Sequence, residues 1–150
     1  MRILNFAVFI FVFIAASVTF AQDSSGVRIV SSMYDYWHDV RCVDVQGDYA
    51  YVATGLSGLQ IIDISNHHEP EVAGVWESSS TLKVLNYVAV SGTITCVRSG
   101  LSRNKVVILD ISDPTHPEVV GEIDKVGRKS GYNSVRELQI QNNLLFVLTN

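Results

Sequence analysis

The densest group of chemically versatile side chains is Tyr34-Asp35-Tyr36-Trp37-His38-Asp39, with Arg41 just beyond. Aromatic rings beside a carboxylate, an imidazole and a guanidinium are what a carbohydrate or peptide site requires. The rings offer flat stacking surface, the charged groups fix orientation, and Trp, Tyr and Arg are enriched where binding energy concentrates. The same residues have a plainer role, in which Trp37 and the tyrosines pack between structural units as large aromatics usually do. Other groups point to less. His67-His68-Glu69 puts three metal-ligating residue types in a row, yet adjacent side chains on a turn rarely converge on one ion, and the spacing places no further ligand. Gly127-Arg128-Lys129-Ser130 ends like a phosphate loop, but Glu122 stands where the upstream glycine is needed. The chain contains no G-x-S-x-G and no H-E-x-x-H. The residues therefore predict no catalytic group, no cofactor and no metal.

What positions these residues is a repeat. Val43 to Gly74 reads VDVQGDYAYVATGLSGLQIIDISNHHEPEVAG, and Val88 to Gly121 reads VAVSGTITCVRSGLSRNKVVILDISDPTHPEVVG. They align at an offset of 45, becoming 47 after two residues enter near Arg103, with 15 of 32 aligned positions identical. A third copy opens at Val135 as VRELQIQNNLLFVLTN, placing Asn142 where Gly47 stood. A period of this size, built of short apolar alternations, marks a stacked or closed array.

Each copy reads as four short strands. Val43 and Val45, then Tyr49 and Tyr51, alternate around Gly47, a hairpin pattern whose turn residue becomes Gly92 and then Asn142. Those residue types accept the positive φ of tight hairpins. A β-branched third strand follows, LQIIDIS or VVILDIS, ending on turn formers. Asp63 and Asp110 recur there and are expected to cap turn amides, once per copy. Pro70 and Pro117 then open a fourth strand, EVAGVW or EVVGEI. Four antiparallel strands in about 45 residues make one propeller blade. The fold class is all-β, with propeller blades over 38–77 and 84–124, a half blade over 133–149, and a leading outer strand at 27–32. That makes two and a half blades, whereas closure takes about four to eight. The expectation is a front piece of a longer protein, or a chain whose copies associate if 150 residues is its full length.

In such an array the aromatic segment links one blade's fourth strand to the next blade's first. The corresponding segments are 78–86 and 127–136, the latter carrying Arg128, Tyr132 and Arg136. Connections of this kind lie near the central axis on one face. The candidate ligand-binding residues are thus Trp37, His38, Asp39, Arg41 and Arg136.

The first residues are set apart from the fold. Arg2 precedes an uncharged apolar run, and Thr19-Phe20-Ala21 ends it in small-residue style. This reads as a signal peptide over 1–21 cleaved after Ala21, with an uncleaved anchor as the competing reading. Removal would leave 129 residues and take the charge from −4 to −5, since only Arg2 is lost. A mildly acidic surface without a basic cluster argues against nucleic acid, and no membrane association is expected after cleavage. Cys42 and Cys96 could form a disulfide in an exported protein; their places on apolar strand positions favour isolated buried thiols.

At LQIIDIS, VVILDISDP and the preceding GDYAYVA, the chain resembles the LVIVD-repeat proteins of bacterial and archaeal surfaces, over Val27 to Asn150. It departs from their pattern at Asn66-His67, where Asp-Pro is favoured, and at the ITCV of the second copy. The resemblance implies a secreted, periplasmic or cell-surface propeller module without known catalysis, and it supplies no active-site residues. The expected function is a non-enzymatic module for binding, adhesion or surface assembly, with an unknown protein or carbohydrate ligand. The alternatives are a propeller enzyme, a lyase or glycoside hydrolase acting on extracellular polymer, or a truncated fragment without a role of its own.

Overall fold

The structure, a computed structural model, describes residues 29–33, 39–77, 84–99, 105–124, 126 and 135–149. Ten strands and no helix occupy them. The first sheet joins β1 (Cys42–Gln46), β2 (Tyr49–Ala53), β3 (Leu59–Asp63) and β4 (Glu71–Trp76) in sequence order. The second repeats it with β5 (Leu85–Ser91), β6 (Ile94–Ser99), β7 (Val106–Asp110) and β8 (Glu118–Ile123). The third is the hairpin of β9 (Val135–Gln141) and β10 (Leu144–Thr149). Every neighbouring pair is antiparallel. The hairpin turns fall where the repeat placed them: Gly47 has φ 59°, Gly92 62° and Asn142 51°. All three lie in the left-handed region, which glycine and asparagine enter at least cost.

The sheets meet face to face, and side-chain alternation decides which residues meet. Cys42, Tyr51, Ala53, Leu59 and Ile61 of the first sheet pack against Leu85, Val88, Val97, Val107 and Leu109 of the second. On the other side of the second sheet, Ala89, Cys96 and Val106 pack against Val135, Leu138, Ile140 and Val147 of the third. Each sheet thus has a front face toward the preceding sheet and a back face toward the next. Leu59, Ile61, Leu85 and Leu109 are completely buried, and each such side chain contributes on the order of 1.5–3 kcal/mol. The central sheet is apolar on both faces because it is covered on both.

The irregularities repeat as faithfully as the strands. In the outer strands, register slips between Ile61 and Ile62 and again between Ile108 and Leu109, leaving Ala73 and Val120 as bulge residues. The glycine beside each bulge differs in surroundings. A Cβ on Gly74 would overlap the carbonyl oxygen of Pro114 and stand 3.0 Å from Thr115 Cα, in the turn of the next sheet. A Cβ on Gly121 would meet Ile108 of its own sheet at an ordinary 3.5 Å.

Of the leading outer strand expected at 27–32, residues 29–32 carry no strand pairing, and 27–28 lie outside the described residues. A strand exists only where another edge accepts its ladder bonds, and no described edge does so here. Met33 packs instead on the front face of the first sheet, against Ala50, Val52 and Ile62. The expected signal segment 1–21 also lies outside the described residues. No helix among the described residues is long and apolar enough to cross a membrane.

Candidate functional site

The three inner strands β1, β5 and β9 lie side by side and begin alike. Arg41 N–H donates to the Ala53 carbonyl at 2.9 Å, although Ala53 already pairs with Cys42. In β5 the register jumps from Leu85–Ser99 to Tyr87–Arg98, skipping Asn86. In β9 it jumps between Leu148 and Thr149, skipping Arg136. Arg41, Asn86 and Arg136 occupy the same repeat position, so one bulge recurs at the mouth of every inner strand. Bulges interrupt the ladder and re-aim a side chain, and they cluster at barrel rims and binding sites. Arg41 and Arg136 are exposed and Asn86 is half-buried. Asn86 Oδ1 is itself buried, without a hydrogen-bond partner among the described residues.

Of the sequence-predicted site residues, Asp39 and Arg41 come together as an ion pair with both side chains about half exposed. They line a shallow depression of about 260 Å³ with Gly55, Leu56 and Val84. Arg136 stands at the matching place two strands away and does not line that depression. Trp37 and His38 lie outside the described residues.

Just past the bulges the inner strands line a larger cleft of about 380 Å³, with Cys42 and Asp44 from β1, Tyr87 and Val90 from β5, and Glu137 and Gln139 from β9. Of these residues the sequence reading took up only Cys42, and only as a thiol. Their signal was available in the half-polar inner strands, where Asp44 and Gln46 interrupt an apolar alternation.

The structure gives both side chains work between sheets. Asp44 accepts from its neighbour Val45 N at 2.9 Å and from Val90 N of β5 at 2.8 Å. Gln46 Nε2 donates to Gly92 O, and Gly92 N donates to Gln46 Oε1, both at 2.7 Å. The equivalents facing the third sheet are Ala89 and Ser91. There Arg98 takes over: 4% exposed, it stands 5.6 Å from the Tyr87 ring centroid and donates to Val135 O at 3.1 Å. Burial pulls the Arg98 guanidinium's pKa down from its ordinary value, with Tyr87 opposing the shift. A buried guanidinium persists only where such partners offset its desolvation.

The turns behind the third strands behave as the repeat predicted. Asp63 accepts from Ser65 N and Asp110 from Ser112 N, both at 2.8 Å. The Ser65 hydroxyl and N–H hold the Asp63 carboxyl below its ordinary pKa, and the Ser112 N–H and hydroxyl do the same for Asp110. His67 and His68 are exposed, with His68 N–H bonded to Asn66 Oδ1 at 3.2 Å. No group of three or more His, Cys, Asp or Glu residues is arranged to hold a metal ion among the described residues. Both cysteines are free thiols, Cys42 half-buried and Cys96 buried.

Radially repeated antiparallel sheets, with their first strands side by side, define a propeller-type repeat protein. The LVIVD repeat model matches the chain twice, over residues 39–76 and 86–125. The matches cover more than half of the sequence, and the chain belongs to the LVIVD-repeat family. No curated protein and no solved structure matches it.

Proposed function

We propose that the chain is an exported, non-enzymatic binding module that presents a ligand site at the bulged end of its inner strands. The observation that carries this reading is the recurrence of one bulge, at Arg41, Asn86 and Arg136, in all three copies. The interruption breaks the ladder and re-aims polar side chains at one end of the array. Two exposed arginines flank an amide there, a few residues from the Asp44, Glu137 and Gln139 cleft. Guanidinium and amide groups recognise carboxylate, hydroxyl and peptide oxygens through directed hydrogen bonds, which suits an acidic glycan or an extended peptide. The apolar run before Gln22 supports export.

The test is binding of the purified full chain to glycan and peptide arrays. Arg41→Ala and Arg136→Ala should each weaken the strongest signal roughly tenfold, the loss of one charge-assisted contact, while far-UV circular dichroism stays unchanged. Absence of binding, or binding indifferent to both arginines, would remove the site.

A further inference from the structure

Among the described residues, Arg98 is the only charged side chain that is fully buried. A guanidinium in such a place pays for its lost hydration, and an apolar side chain of similar volume commonly packs as well or better. The first sheet shows the simpler solution. Its matching residue is Ala53, completely buried in the apolar joint to the second sheet. Packing alone does not call for an arginine at this position, and the contacts of Arg98 say what it does instead.

Both contacts fall on a bulge. Arg98 donates to the carbonyl of Val135 at 3.1 Å, and Val135 immediately precedes the skipped residue Arg136. Its guanidinium lies 5.6 Å from the ring centroid of Tyr87, which immediately follows the skipped residue Asn86. Tyr87 is also its ladder partner, so Arg98 stands opposite the point where β5 resumes its register. One side chain thus touches the flank of the bulge on each side of the second joint. We infer that Arg98 is the positioning residue of the bulged end, holding Asn86 and Arg136 at one spacing across the joint between the second and third sheets.

The first joint reaches the same result by another route. Leu85 occupies the Val135 position, one residue before its own bulge. Its N–H donates to the Gly55 carbonyl of the first copy at 3.0 Å, in an isolated bridge. In both joints the residue before the bulge is tied to the preceding copy, once by backbone and once by the Arg98 side chain. The second tie can therefore be cut by a single substitution. Tyr87 carries the effect into the cleft, which it lines with Glu137 and Gln139. The inference deepens the reading of this end as a ligand site and takes its functional meaning from it. An amide and a guanidinium held at one separation select ligands whose acceptor oxygens repeat to match, as the carboxylates of a polyuronate do.

Backbone order parameters from nitrogen relaxation of the full chain test the positioning, and binding of polygalacturonate, an acidic glycan, tests its consequence. In the native chain Asn86 and Arg136 should be as rigid as strand residues, at about 0.85. Arg98→Met keeps a long stem but neither donates nor carries charge. It should bring both residues below about 0.6, leave Arg41 and Ile140 unchanged, and weaken polygalacturonate binding roughly tenfold. Arg98→Lys, which restores a donor and a cation, should return both residues to near native rigidity. An Arg98 that only fills space predicts a different pattern, in which Met serves as well as Lys. Should Arg98→Met not fold, Arg98→Gln, an uncharged amide on a shorter stem, provides the same lesion. Asn86 and Arg136 that are loose in the native chain, that stay rigid without the guanidinium, or that loosen together with Arg41 and Ile140 would overturn the inference. A native chain that ignores polygalacturonate while the order parameters respond as stated would uphold the positioning and count against the acidic-glycan reading alone.

Discussion

Gln46 and Gly92, one repeat apart, close a two-bond ring between neighbouring inner strands: the amide nitrogen donates to the glycine carbonyl and the glycine N–H donates back, each at 2.7 Å. The glycine suits the turn for its positive φ of 62°. The clamp is exposed, so each bond contributes toward the low end of the usual 0.5–1.5 kcal/mol. Gln46→Ala is expected to cost about 1 kcal/mol in urea unfolding. The Ser91→Ala change at the matching position of the second sheet, where no clamp exists, should cost less than half of that.

Gly74 and Gly121 are the same residue in two copies with opposite consequences. A methyl group on Gly74 collides with the backbone of the Pro114-Thr115 turn, and backbone in a repeated turn cannot step aside cheaply. Gly74→Ala should therefore destabilise by about 1–3 kcal/mol, as overpacking does. Gly121→Ala meets only Ile108 at ordinary distance. It should be neutral or gain a few tenths of a kcal/mol through the stiffer unfolded chain. Paired denaturant curves decide this, and equal costs at the two positions would mean that the inter-sheet contact at Gly74 carries no strain.

Much of this architecture was legible because the repeat reports it twice. The strand-end aspartates, the hairpin positions at Gly47, Gly92 and Asn142, and the four-strand order each occur in more than one copy. A local pattern that recurs at fixed spacing must satisfy one geometry several times. What was not legible is what differs between copies. Asp44 and Gln46 clamp one joint, and Ala89 and Ser91 leave the next to Arg98 over Tyr87. The Asp44 and Gln46 contacts link residues 46 apart and the Arg98–Val135 bond residues 37 apart, and no local period encodes them. The bulges at Arg41, Asn86 and Arg136 were hidden for a different reason. A bulge changes pairing without changing composition, so only the register reveals it. The candidate site was half visible: the sequence reading named Arg41 and Arg136, and it missed Asn86 and the cleft between them.

The turn carboxylates give stability a predictable acid limb. Asp63 is held below its ordinary value of 3.8 mainly by the Ser65 hydroxyl, Asp110 mainly by the Ser112 backbone N–H, and Asp113 mainly by the Thr115 hydroxyl. A carboxyl whose folded pKa lies below its unfolded one adds stability that is present above the unfolded value. That stability is lost as the pH falls through the folded value. Thermal unfolding midpoints should therefore hold level from neutrality to about pH 5 and fall below about pH 4. Replacing Asp63, Asp110 and Asp113 together by Ala should lower the midpoint at neutral pH and shallow the fall in acid. An acid limb of unchanged steepness would show that other carboxylates cause it.

Cys96 reports on the joint between the second and third sheets. It is 3% exposed on the back face of β6, among Ala89, Val106, Val135 and Leu138. Burial pushes its thiol up to about 11. Only the thiolate alkylates, so at pH 8 about one molecule in a thousand would be reactive even if the reagent could reach it. Labelling must therefore wait for opening, and the third sheet, a two-stranded hairpin, is the element whose departure exposes the sulfur. In a Cys42→Ser background, iodoacetamide should modify native Cys96 far more slowly than an unfolded control. Leu138→Ala removes a buried side chain from the third sheet and should cost that joint about 2–5 kcal/mol. It should raise the Cys96 rate at least tenfold while leaving the denaturant midpoint of the first two sheets nearly in place. A Cys96 that labels at the unfolded rate in the native chain would mean that the third sheet does not cover it. If Leu138→Ala instead shifted both observables equally, the three sheets would open as one cooperative unit.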